Sequence, residues 1–174
     1  MEQQDQRFFL ESSVNNIKKQ HVALNEVVIH SGQFAQMFEY ELYLDDVFVY
    51  RQKADGIIIS TPTGSTAYSL SGNGSIIHPD VKAINLLPMF PHSLSSSPLV
   101  INADSHIRIV TVGKKNKASL SFDSHNSFNI PGENEINIRK SSSVLNLVHP
   151  IGHDFYDGCR NKLGWSSGII KTDK

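Results

Sequence analysis

Apolar and polar residues alternate with a period of two over Phe38, Tyr40, Leu42 and Leu44, with Glu39, Glu41 and Tyr43 between them. That period predicts a strand with one wet face. Asp45-Asp46 supplies a turn, and Val47–Tyr50 reads as the returning strand. Residues 21–30 (HVALNEVVIH) form a further extended segment. Ile57–Ile59 and Ala83–Leu87 are short apolar runs without alternation, expected of strands covered on both faces. In the second half Ile107/Ile109, Leu120/Phe122, Ile136/Ile138 and Leu145/Leu147 repeat the two-residue spacing. Gly113–Asn116 and Pro131–Asn134 provide turn residues between them. Helix is expected only as a turn or two over Thr66–Leu70 and a short helix over Asp154–Leu163, with Phe155 and Cys159 on one face. The first dozen residues read as an entry strand or a cut end. The pattern predicts a mainly β chain, an antiparallel β-sandwich-like domain with few short helices, as one domain over residues 1–174.

Composition narrows the classes of function. Sixteen basic against seventeen acidic residues exclude a nucleic-acid surface built on bulk charge. No apolar run approaches the roughly 20 residues that span a bilayer, and the N-terminal stretch lacks a basic segment followed by an apolar one. A cytoplasmic location is the expectation, which leaves the Asn73-Gly74-Ser75 sequon without a role. A single cysteine, Cys159, rules out an intramolecular disulfide and a multi-cysteine metal site. Among the eight histidines, His149 and His153 are four apart, but Pro150 and Gly152 between them oppose a helix that would align them as ligands.

One segment stands apart, residues 55–74, DGIIISTPTGSTAYSLSGNG. A buried strand runs into a loop dense in Ser, Thr and Gly, offering backbone N–H groups, hydroxyls and close backbone approach. A helical turn starting at Ser65 or Thr66 would add an anion-friendly end. The segment is neither a Walker A loop, since no Lys follows Gly64, nor GxGxxG. Taken by itself such a segment is more often an ordinary loop than a ligand site. Asn25-Glu26 places an amide beside a carboxylate within an apolar segment, so the pair must face solvent, an edge or a ligand. Asp55 is either a turn residue or a partner for a ligand amide or hydroxyl. His92 is expected to order its loop, and Trp165 to pin the C-terminal segment by packing.

Residues 23–28 (ALNEVV), 55–69 (DGIIISTPTGSTAYS), 87–94 (LPMFPHSL), 98–101 (PLVI) and 162–166 (KLGWS) together resemble the bacterial NAD kinase family. The likeness runs in order along nearly the whole chain. It implies the β-rich C-terminal domain of that family. The family's catalytic Gly-Gly-Asp-Gly run, which belongs to a separate N-terminal α/β domain, is absent from this sequence. The family's aspartate activates the adenosine ribose 2′-hydroxyl for attack on a terminal phosphate, so these residues alone are expected not to turn over. The resemblance implies that Asn25 and Glu26 grip the adenosine portion of NAD and that Asp55 meets the nicotinamide amide. It places Thr63, Thr66, Ala67, Tyr68 and Ser71 along the dinucleotide. Lys53 stands where relatives often carry Arg, keeping the charge without the bidentate fork. His125 stands where a relative offers Gln. The implied substrates are NAD and ATP or polyphosphate, with a divalent metal, magnesium, travelling with the donor phosphates. The implied partners are the missing N-terminal kinase domain and further copies of the chain, a homo-oligomer, commonly a tetramer. A non-catalytic NAD(P)-binding module and a purely structural oligomerisation domain stay open as alternatives.

Overall fold

The computed structural model describes residues 3–15, 17–32, 36–93, 95–113 and 117–165. The Gly113–Asn116 turn falls largely outside them, as do Leu94 and Ser166 of the family motifs. By contact density the chain divides into two compact units, residues 7–145 and the two chain ends, 1–6 with 146–174. Twelve strands and two short helices make up the described secondary structure. The strands are β1 (Gln3–Val14), β2 (Ile17–Ala23), β3 (Glu26–His30), β4 (Phe38–Leu44), β5 (Val47–Ala54), β6 (Gly56–Ser60), β7 (Ala83–Met89), β8 (Leu99–Asn102), β9 (Ile107–Val112), β10 (Lys117–Phe122), β11 (Asn126–Pro131) and β12 (Glu135–His149). The helices are α1 (Tyr68–Ser71) and α2 (Phe155–Leu163).

The strands form two six-stranded antiparallel sheets, ordered β2-β1-β12-β9-β4-β5 and β11-β10-β3-β6-β7-β8. The expected mainly β, antiparallel sandwich is therefore the fold. Alternation decides which side chains meet between the sheets. Phe38, Tyr40 and Leu42 of β4, Ile107 and Ile109 of β9 and Ile136 and Ile138 of β12 point inward from one sheet. Val27, Ile29, Ile57, Ile59, Ile84, Leu86, Leu120 and Phe122 answer from the other. Each fully buried side chain of this size contributes about 1.5–3 kcal/mol of transfer free energy. The opposite parity of the second sheet puts Val28, Ile58 and Leu87 in a small separate apolar cluster with Met89. A second apolar face explains why β6 and β7 carry unbroken hydrophobic runs.

One element departs from expectation. Residues 21–30 are not one strand: β2 ends at Ala23, and β3 starts at Glu26 after a bend over Leu24 and Asn25. In the terminal unit, α2 has Asp154 as its N-cap, the side chain accepting from Tyr156 N at 2.9 Å, and Gly164 at φ 62° closes it. Cys159 is its buried residue, as expected. The Trp165 ring stacks against Tyr156 at 6.4 Å and remains half exposed. His149 and His153 stack ring on ring at 3.9 Å, outside any helix.

Candidate functional site

The Ser/Thr/Gly loop is built on the end of β6. Thr61 N donates to Asn25 O at 2.9 Å, and Thr61 Oγ1 donates to Leu24 O at 2.6 Å. The same hydroxyl accepts from Gly64 N at 3.1 Å. A 3₁₀ turn over Gly64–Thr66 follows, then α1. Two hydroxyls are spent on the loop itself. Ser65 Oγ donates to Pro62 O at 2.6 Å and accepts from Ile77 N at 3.0 Å, and Ser69 Oγ accepts from Asn85 Nδ2 at 3.2 Å. Both residues are fully buried. Thr63, Thr66 and Ala67 are half-buried, Tyr68 is 41% exposed and Ser71 is exposed. Thr63, Thr66, Ala67, Tyr68 and Ser71 thus form the loop's accessible rim, while Ser65 and Ser69 lie beneath it.

The bend at Leu24-Asn25 is held from a distance. The carboxylate of Asp123 accepts from Leu24 N at 2.8 Å, Asn25 N at 2.7 Å and Glu26 N at 3.1 Å. Its own N–H returns to Glu26 O at 3.1 Å. Three consecutive N–H groups wrapped on one carboxylate stop the segment from running through as a single strand. Asp123 and Ser124 adopt left-handed backbone angles, φ 47° and 58°, in the turn between β10 and β11. His125 lies exposed on that turn, its ring Nδ1 against Asp123 O. The clasp of Asp123 on residues 97–99 positions away has no local signature in the sequence.

Glu26 is the unusual group. It is 2% exposed, and its Oε2 has no hydrogen-bond partner. Burial first, and then the neighbouring Asp123 charge, push its pKa up from 4.5 to about 7; a bond from the Tyr68 N–H partly opposes them. The pKa carries a linkage consequence. Between pH 4.5 and 7 the folded chain retains a proton that the unfolded chain has released, so stability falls as pH rises through this window. The expected loss is about 2 kcal/mol between pH 4.5 and 7.5, removed in Glu26→Gln. Urea unfolding of both proteins at the two pH values measures it; parallel pH profiles would show that Glu26 does not hold this proton.

The remaining expected residues lie elsewhere. β3 pairs with β6 so that Glu26 faces Ser60 and His30 faces Gly56. Asp55, one residue beyond Gly56, is therefore at the opposite end of β6, roughly 17 Å along the strand from the level of Glu26 at about 3.4 Å per residue. There Asp55 N donates to Met89 O and Ser31 N donates to Asp55 O, both at 3.0 Å. Lys53 is exposed on β5, and its carbonyl accepts from His92 N at 3.0 Å. That bond is made by the backbone N–H of His92, which any residue but proline supplies. The structure gathers Asn25, Glu26, Thr63, Thr66, Ala67, Tyr68 and Ser71 around one end of β6, beside Asp123 and His125. Lys53 and Asp55 form a second group at the other end.

Comparison with known proteins bears on this arrangement. Residues 24–150 match the ATP-NAD kinase C-terminal domain. The NAD kinase of Teredinibacter turnerae is 47% identical over 167 residues, covering 94% of this chain and 57% of that protein. That of Shewanella halifaxensis is 47% identical over 170 residues, with 95% and 55% covered. The crystal structure of yeast NADH kinase complexed with NADH superposes with a TM-score of 0.86 at 30% identity, over 99% of this chain and 53% of that one. An NAD kinase from Archaeoglobus fulgidus in complex with ATP gives 0.70 at 29% identity, over 82% and 55%. The chain spans about half the length of the relatives it matches. With a domain match across the sandwich and its loop, and close relatives along nearly all its length, this chain belongs to the ATP-NAD kinase family, as the C-terminal part of such a protein.

Proposed function

We propose that this chain supplies the dinucleotide-binding part of an NAD kinase, which phosphorylates the adenosine ribose 2′-hydroxyl of NAD to give NADP. The observation that carries the reading is the buried Glu26 carboxylate with one oxygen unpartnered, beside Asn25 and under the rim of the Thr61–Ser71 loop. A buried carboxylate oxygen without a donor is costly, and a ribose hydroxyl is a donor of the right size. In this reading Asn25 and Glu26 hold the adenosine end. Thr63, Thr66, Ala67 and Ser71 line the middle, and Tyr68 offers a half-exposed ring to a base. Asp55 accepts from the nicotinamide amide, while Lys53 and His125 face phosphate charge. Ionised Glu26 is the form that accepts a hydroxyl, so affinity for NAD rises as pH passes through about 7.

The phosphoryl donor, ATP or polyphosphate, and its divalent metal, magnesium, belong to the part of the protein these residues do not supply. Among the described residues no three His, Cys, Asp or Glu side chains gather as a metal cage, and no step of the reading runs through one. Among the same residues no helix is long and apolar enough to cross a membrane. The reading also includes a cytoplasmic location and self-association, supported by the exposed Val47, Phe48 and Val49 on the edge strand β5.

Calorimetric titration of the purified chain with NAD tests the proposal. Binding is expected, and a combined Asn25→Ala, Tyr68→Ala variant should weaken it at least tenfold while unfolding at a similar temperature. No binding by the wild-type chain would favour a purely structural oligomerisation domain. With NAD, ATP and magnesium, NADP is expected only after the separately expressed N-terminal half of a relative is added. A chain that binds NAD but still makes no NADP then would be a non-catalytic binding module.

A further inference from the structure

At the Asp55 end of β6 the chain holds an aromatic ring where folding alone gives no reason for one. Phe90 follows the last residue of β7 with φ 44°, in the left-handed region that crowds any side chain bulkier than glycine's hydrogen. It is also 79% exposed. Glycine would carry the same reversal without crowding and without an apolar ring in water. The conformation is fixed from both sides. Asp55 N donates to Met89 O and His92 N donates to Lys53 O, each at 3.0 Å, so residues 89–92 are tied to residues 53–55. Phe90 absorbs the reversal between these two ties, and Pro91 after it limits the alternatives. An unfavourable backbone angle and an exposed ring thus coincide next to Asp55 and Lys53.

We propose that Phe90 is the stacking residue for the amide-bearing ring of the dinucleotide and selects its oxidised, cationic form. The inference rests on the dinucleotide reading above, with Asp55 accepting from the amide. The face of a benzene ring carries negative potential, so it attracts a flat cationic heterocycle more strongly than the neutral reduced ring. Asp55 carries a negative charge and the exposed Lys53 a positive one, both on segments tied by backbone bonds to residues 89–92, so their charges oppose each other at this end. The ring face is therefore what favours NAD over NADH, while the adenosine end, held at the other end of β6, does not sense the difference.

The test compares wild type, Phe90→Gly and Phe90→Trp by titration with NAD, NADH and AMP, alongside thermal unfolding. Phe90→Gly is expected to bind NAD about tenfold more weakly, NADH about threefold more weakly and AMP unchanged. Its unfolding midpoint should stay level or rise, because glycine suits this backbone. Phe90→Trp should retain the NAD affinity. Unchanged NAD binding by Phe90→Gly overturns the proposal, and so does an equal loss for NAD and NADH or for NAD and AMP. If NAD fails to bind the wild type, or binds the Asn25→Ala, Tyr68→Ala variant undiminished, the dinucleotide reading falls and takes this inference with it. Normal NAD binding by Phe90→Gly, with loss in the double variant, sinks this inference alone.

Discussion

Gly64→Ala is expected to destabilise the chain by about 3 kcal/mol or more, lowering the unfolding midpoint by about 10 °C, and to abolish dinucleotide binding. The reason is backbone against backbone. A Cβ at residue 64 would lie 2.0 Å from Asn25 O, 2.4 Å from Asn25 C and 2.7 Å from its Cα. No side-chain rotation relieves contacts of that kind. Nor can the loop retreat cheaply, because Thr61 anchors it to Leu24 and Asn25 through its N–H and hydroxyl and holds Gly64 N as well. Moving residue 64 outward breaks those bonds; moving residue 25 inward breaks the clasp of Asp123. Gly158→Ala is the matched control. Its added Cβ meets nothing within 4 Å, and it lies inside α2, where alanine is the better helix former. That variant should be neutral or more stable by about 0.5–1 kcal/mol. Thermal unfolding and NAD titration of both variants decide the matter: a Gly64→Ala protein that melts like wild type and binds NAD would show that the loop does not need this close approach.

The contrast between these glycines illustrates what the sequence could and could not reveal. Strands β4, β9 and β12 were legible because one face is wet, and a period of two is then written into the residues. β6 and β7 were legible for the opposite reason, since both faces are covered and the runs stay apolar. The composition of residues 60–74 marked a special loop but not its internal accounting. Nothing local tells that the Ser65 hydroxyl is consumed by Pro62 and Ile77 and that of Ser69 by Asn85 of β7, while Thr63, Thr66 and Ser71 line the rim. The bend at Leu24-Asn25 was missed because it carries no Gly or Pro and is imposed by a carboxylate far along the chain. Glu26 was expected to face solvent, an edge or a ligand, and it is closed off from solvent. General burial rules keep carboxylates wet or paired, and a binding site is where that rule is broken.

Asp123→Ala should cost about 3–5 kcal/mol. It strips the acceptor from three adjacent, partly buried N–H groups at once. Asn at 123 tolerates the left-handed backbone and keeps one acceptor oxygen, so its loss should be about half as large. The same substitution separates holding from electrostatics. Removing the Asp123 charge withdraws one of the two causes that lift Glu26, so the Glu26 midpoint should drop below about 7. The pH window over which stability declines would then contract from its upper end, and NAD affinity would reach its plateau at lower pH. Urea unfolding at several pH values, with NAD titrations at the same points, measures both effects. If Asp123→Asn and Asp123→Ala both fall within 0.5 kcal/mol of wild type, as surface substitutions do, the clasp does not hold the bend. If stability drops but the pH profile does not move, Asp123 shapes the segment without setting the charge of Glu26. If both move together, one carboxylate fixes the position of the Asn25-Glu26 pair and tunes the proton it carries.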